Sequence, residues 1–211
     1  RSRQVLEGHA VNVDRVGRGQ RPANMIWLWG QGVTPQMPSF SERFGLRGGV
    51  ISAVDLLNGI ARLIGLELID VPGATGYLDT NYAGKVAAAL DALETMDFVY
   101  LHVEAPDEMG HEGEIDLKVK AIELFDERVV GPVIEGLEKS GQDWRVLLLP
   151  DHATPISIKT HSREPVPFTI AGEGIVPDSV ERFDEASARQ GGCRLVEAGA
   201  LVEMMRSTGS L

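Results

Sequence analysis

Two short apolar runs, Phe98 to Val103 (FVYLHV) and Val146 to Leu149 (VLLL), each break directly into polar residues. Runs this short, without polar alternation, mark strands buried on both faces, as in a parallel sheet covered by helices. Segments of helical period lie around them. Apolar residues recur at helical spacing from Val50 to Leu63, with Gly65 as the stop, and an alanine-rich stretch from Gly84 to Glu94 follows possible caps at Asp79, Thr80 and Asn81. A longer helix is predicted from Ile115 to Lys139 and a last one from Val196 to Met205. Further strands are predicted at Asn24 to Trp29, Leu66 to Val71 and Phe168 to Ala171. Strand and helix thus alternate, which predicts an α/β domain with a largely parallel sheet.

Composition excludes several function classes. The chain of 211 residues carries a formal charge of −11, whereas a nucleic-acid binder needs surplus Lys and Arg to displace counterions from phosphates. The single cysteine, Cys193, rules out an intrachain disulfide and a thiolate-rich zinc site. Any metal must therefore rest on carboxylate and imidazole. No stretch approaches the ~18 consecutive apolar residues of a membrane span, and the polar start, Arg1 to Gln20, lacks the apolar core of a leader, so a cytoplasmic protein without membrane contact is expected.

In an open parallel sheet the functional crevice lies beyond the carboxyl ends of the strands. After FVYLHV comes Asp107-x-x-x-His111; after VLLL comes Asp151-His152, with His161 ten positions beyond Asp151. Each pattern has an ordinary reading, since Asp-x-x-x-His occurs on solvated turns and an Asp after a strand often caps the next helix. Together with His161 they make a mixed oxygen and nitrogen donor set that suits Zn²⁺ or Mn²⁺. Two such ions ~4 Å apart can activate a nucleophile and clamp a transferring phosphoryl group.

The segments 102–113 (HVEAPDEMGHEG), 149–156 (LPDHATPI) and 160–168 (THSREPVPF) resemble the cofactor-independent phosphoglycerate mutases of the archaeal type, in the alkaline phosphatase superfamily. The resemblance extends through 22–32 (PANMIWLWGQG), 50–54 (VISAV) and 72–82 (PGATGYLDTNY). It implies a three-layer αβα, alkaline-phosphatase-like fold, incomplete in this chain. It also implies two divalent ions, Mn or Zn, beside a serine that is transiently phosphorylated while 3-phosphoglycerate and 2-phosphoglycerate interconvert in glycolysis and gluconeogenesis. Asp107, His111 and His161 would hold one ion, and Asp151 and His152 would form part of the second site. No segment matches the early Asp, the nucleophilic Ser or the inserted substrate domain, so residues 1–211 are expected to be the carboxy-terminal part of the metal-binding domain, inactive alone.

Three residues are candidates for substrate contact. Lys85 can meet a phosphate or carboxylate as a mobile point charge, although a solvated lysine at a helix start is the plainer reading. Gln31 follows a predicted strand at the presumed ligand edge, where Trp27 and Trp29 are read equally as packing residues. Arg163, two residues after His161, can touch a phosphate or pair at the surface. His102 is read as an interior strand residue, and Cys193 receives no role. Two rival functions share the motifs: another metal-dependent phosphoryl transfer, phosphatase or homoserine-kinase-like, and a non-catalytic assembly role. An uncovered sheet edge would also offer a second copy of the chain a pairing surface, so a homo-oligomer is an open expectation.

Overall fold

The structure, a computed structural model, describes residues 1–28, 30–193 and 197–206. It divides into two compact units, Arg1–Gln36 and Met37–Leu211. In the first, helices α1 (Ser2–Glu7) and α2 (Ala10–Gly17) are followed by chain without regular secondary structure. Buried Asn12 fixes that return: its Nδ2 donates to Leu6 O and Ala23 O, each at 2.7 Å, and its Oδ1 accepts from Ala23 N at 2.9 Å.

The strand predicted at Asn24 to Trp29 does not form over its described residues, and Trp29 itself lies outside them. A strand needs a ladder partner. Here Ile26 N donates to the Ser2 hydroxyl instead, and Trp27 is 83 % exposed. Gln31 is exposed in this same unit, so the strand end that was to carry it is absent.

The second unit is built on a three-stranded parallel sheet of order β2-β1-β3, with β1 Gly48–Ile51, β2 Glu67–Leu68 and β3 Phe98–Leu101. Val50 and Ile51, counted above into a helix, belong to β1. Ile69 N donates to Val50 O and His102 N to Ile51 O, both at 2.9 Å, and the helix α4 begins at Asp55 and runs to Leu63. Alternation along β1 creates two cores. Val50 faces Phe40 and Phe44 of α3 (Phe40–Phe44), Ala61 of α4 and the side chains of Phe98 and Tyr100. Ile51 faces Val71, Ala89 of α5 (Tyr82–Leu93), Val99 and Leu101. Helices therefore cover both faces, as a parallel sheet requires. Asn81 caps α5, its Oδ1 accepting from Gly84 N at 2.9 Å.

After β3 the chain turns into α6 (Ala105–Glu112), and Gly113 ends that helix in the left-handed conformation, φ 81°. The predicted long helix is present as α7 (Ile115–Phe125), a π turn (Asp126–Val130) and α8 (Gly131–Ser140). Pro132 lacks the N–H that would continue the α register, and Gly131 N reaches back five residues to Asp126 O.

The predicted parallel membership of the VLLL strand is a second correction. β4 (Arg145–Leu148) pairs antiparallel with β5 (Thr169–Gly172) and, among the described residues, with no strand of the first sheet. Gly172, φ 120°, packs so tightly on Trp144 O that a Cβ there would collide with the carbonyl. Short helices α9 (Glu185–Ala188) and α10 (Ala198–Arg206) complete the chain; Val196, the predicted start of the last helix, lies outside the described residues. No described helix is long and apolar enough to cross a membrane.

Ile51 is 1 % exposed at the centre of the sheet. Ile51→Ala is expected to lower unfolding free energy by about 3 kcal/mol, read from the shift in the urea midpoint at unchanged slope.

Candidate metal centre

Helix periodicity places Asp107 and His111, four residues apart, on one face of α6, and Pro106 in its first turn fixes where it starts. His111 Nε2 lies 3.2 Å from Asp107 Oδ2. The loop between β4 and β5 supplies the rest. The β4–β5 ladder brings its ends together, and an isolated bridge between Ala153 and Ser162, with Ser162 N donating to Ala153 O at 3.0 Å, closes it again. That second closure sets His161 beside His152, ring centroids 3.7 Å apart, and carries His161 Nε2 to 3.5 Å from Asp107 Oδ1 and 3.1 Å from His111 Nε2. Donor atoms of Asp107, His111 and His161 thus all lie within 4.8 Å of one another.

Asp151 and His152 sit beside this trio. His152 Nδ1 is 3.9 Å from Asp107 Oδ1, and its Nε2 is 3.7 Å from Asp151 Oδ1. Asp151 Oδ2 in turn lies 3.9 Å from Nε2 of His102, a mostly buried ring that also stands 3.3 Å from Glu104 Oε2. All five sequence-derived donors therefore meet at the carboxyl end of β3.

Lys85 is fully buried, which overturns the solvated reading; its Nζ donates to His102 O at 2.9 Å. Burial lowers its pKa, and Glu104 opposes that shift. Arg163 is exposed.

Several residues that hold the site escaped the sequence. Thr154 Oγ1 donates a short hydrogen bond to Asp107 Oδ1, and Lys118 Nζ donates to Thr154 O at 2.7 Å. Gly110 makes this approach feasible, since a Cβ there would stand 2.6 Å from Thr154 O. Lys159 O is 3.0 Å from His111 Nδ1. The available signal was Gly-His-Glu-Gly at 110–113: glycines flanking a functional helix end suggest close backbone approach.

The electrostatics favour a cation. Burial raises the pKa of Glu104, and the neighbouring carboxylates of Asp107, Asp151 and Glu108 push it further. Burial lowers the pKa of His102, so the buried ring adds no compensating charge in the ordinary range. The donor set itself fits a divalent ion. His111 directs Nδ1 at a backbone carbonyl, the arrangement that leaves Nε2 free to ligate, and that Nε2 faces a carboxylate and a second imidazole.

Comparison with known proteins decides the family. The metalloenzyme superfamily model matches residues 6–206. The chain belongs to that superfamily. It is 62 % identical over 97 % of its length to the 2,3-bisphosphoglycerate-independent phosphoglycerate mutase of Methanothrix thermoacetophila, covering 52 % of that protein. It is 54 % identical to the enzyme of that name from Methanosarcina acetivorans, of which it covers 51 %. The chain thus spans about half the length of the curated relatives it matches.

Among solved structures, the PH0037 protein from Pyrococcus horikoshii superposes with a TM-score of 0.86 at 32 % identity, covering 96 % of this chain and 53 % of that one. A cofactor-independent phosphoglycerate mutase from Thermoplasma acidophilum gives 0.62 at 27 % identity, covering 96 % and 47 %. The alkaline-phosphatase-like α/β class implied by the resemblance agrees with these structural neighbours and with the helix-covered parallel sheet.

Tyr100, on β3 beneath the site, stacks with His102, ring centroids 6.1 Å apart. Burial, with Asp151 and Glu104 adding to it, raises its pKa to about 12. The neutral phenol is thus favoured in the fold. Stability from this group is complete below the unfolded value of about 10 and is lost as pH rises through the folded one. The denaturant midpoint of the wild-type chain is therefore expected to fall more steeply above pH ~10 than that of Tyr100→Phe; parallel pH profiles would contradict the assignment.

Proposed function

We propose that this chain is the metal-binding half of a 2,3-bisphosphoglycerate-independent phosphoglycerate mutase, which interconverts 3-phosphoglycerate and 2-phosphoglycerate through a phosphoserine. The observation that carries this reading is the convergence of Asp107, His111 and His161 donors in a chain 62 % identical to a protein of that name. In this reading residues 1–211 are the carboxy-terminal part of the metal-binding domain. The nucleophilic serine and the remaining ligands belong to the half of the relatives that this chain does not span.

Asp107, His111 and His161 hold one Mn²⁺ or Zn²⁺; Asp151 and His152 contribute to a second site. When bound, such ions stabilise charge on a transferring phosphoryl group and lower the pKa of the attacking oxygen. The protein residues orient and confine. Thr154 holds the Asp107 carboxylate by its hydroxyl, and the Lys159 carbonyl accepts from His111 Nδ1. Lys118 fastens the loop through Thr154 O. Lys85 and Arg163 are the candidate cations for the substrate's anionic groups, with Lys85 already close enough to Glu104 to be stabilised by it. In the same reading the parent protein acts in the cytoplasm, in glycolysis and gluconeogenesis.

Mn²⁺ or Zn²⁺ at about a hundred times its dissociation constant is expected to stabilise the chain by about 2.7 kcal/mol, seen as a rise in thermal midpoint. His111→Ala and His161→Ala are each expected to remove most of that rise. An unchanged midpoint in the wild type, or an equal rise in both variants, would sink the assignment of this trio.

A further inference from the structure

Lys159 has a left-handed backbone, φ 54°, and among the described residues it shares that region with glycines alone. It ends a single helical turn: Ile158 N and Lys159 N both donate to Pro155 O, at 3.1 and 2.9 Å. Glycine is the usual residue at such an end, because a side chain crowds the backbone there, so a lysine persists only where its surroundings hold it.

Three contacts do so. The Lys159 ammonium donates to Glu112 O at 2.8 Å, capping a carbonyl that α6 leaves without an intrahelical partner and matching the negative end of the helix. Its aliphatic stem lies over Gly113, where a Cβ would collide with Cε and Nζ. Its own carbonyl stands 3.0 Å from His111 Nδ1. One residue therefore grips the end of α6 and one ring of the donor trio, two positions before His161 enters that trio.

The geometry points to Lys159 as a positioning residue for His111. Its ammonium on Glu112 O and its left-handed turn hold its carbonyl at His111 Nδ1, so that the ring carries its proton on Nδ1 and turns Nε2 toward Asp107 and His161. This rests on the reading of that trio as a cation site and adds what presets it. A side chain that touches no ligand atom of the trio thus tunes ion affinity through backbone geometry.

The test is a titration of the chain with Zn²⁺ alone, paired with long-range ¹H–¹⁵N spectra of His111 at about pH 8, where an ordinary imidazole is neutral. Lys159→Met keeps the stem over Gly113 and loses the ammonium. It is expected to weaken Zn²⁺ binding about ten-fold and to lose the Nδ1–H preference of His111, with Lys159→Arg restoring both. Lys159 is exposed, and equal thermal midpoints of the ion-free proteins establish that both variants fold. Zn²⁺ binding by Lys159→Met within about two-fold of wild type, with an unchanged His111 tautomer, would overturn the inference. If the wild type binds no Zn²⁺, the cation reading fails by itself, while the tautomer spectra still decide whether Lys159 holds the ring.

Discussion

Everything at the site depends on how closely the 151–161 loop lies against α6. Gly110 leaves room for Thr154 O where a Cβ would stand 2.6 Å away, and Lys118 fastens that carbonyl at 2.7 Å. The approach lets the Thr154 hydroxyl reach Asp107, Lys159 reach Glu112 and His111, and His161 enter the space between Asp107 and His111. A side chain at Gly110 would push back the whole loop rather than one contact. The donors come from a helix and a loop nearly fifty residues apart, and this close packing turns two separate motifs into one site.

The parts of the fold that rest on local periodicity were legible. The runs FVYLHV and VLLL are strands, the cap of α5 is one of the three candidates, Asn81, and the polar residues after the two runs lie close together. Pairing was less legible, because a strand's partner is a non-local choice. VLLL was expected in the parallel sheet, yet β4 pairs with β5, and the antiparallel ladder is what returns the chain so that His161 meets His152. Val50 falls in phase with the α4 helix by spacing, but its backbone is taken by β2 and β3. The apolar run at Asn24 resembles a strand and finds no ladder partner among the described residues of its unit.

Within the site, the candidate donors were visible as residue types, and the residues that touch them were not. Asp107, His111, Asp151, His152 and His161 stand out because metal chemistry needs carboxylates and imidazoles. Thr154, Lys118 and Lys159 act through hydroxyl, ammonium and backbone carbonyl groups that any surface loop also carries. Lys85 shows the reverse failure: a lysine near a helix start reads as solvated, and here it is buried under the end of β3. The crowd of carboxylates around Glu104 likewise emerges only when α6 and the loop come together.

The central claim is that this chain by itself presents a cation site formed by one helix and one loop. Anomalous diffraction from crystals of the chain soaked in Mn²⁺ or Zn²⁺ tests it most directly. The account predicts a peak coordinated by an Asp107 carboxylate oxygen, His111 Nε2 and His161 Nε2. Anomalous density elsewhere, with those three side chains unligated, would contradict it.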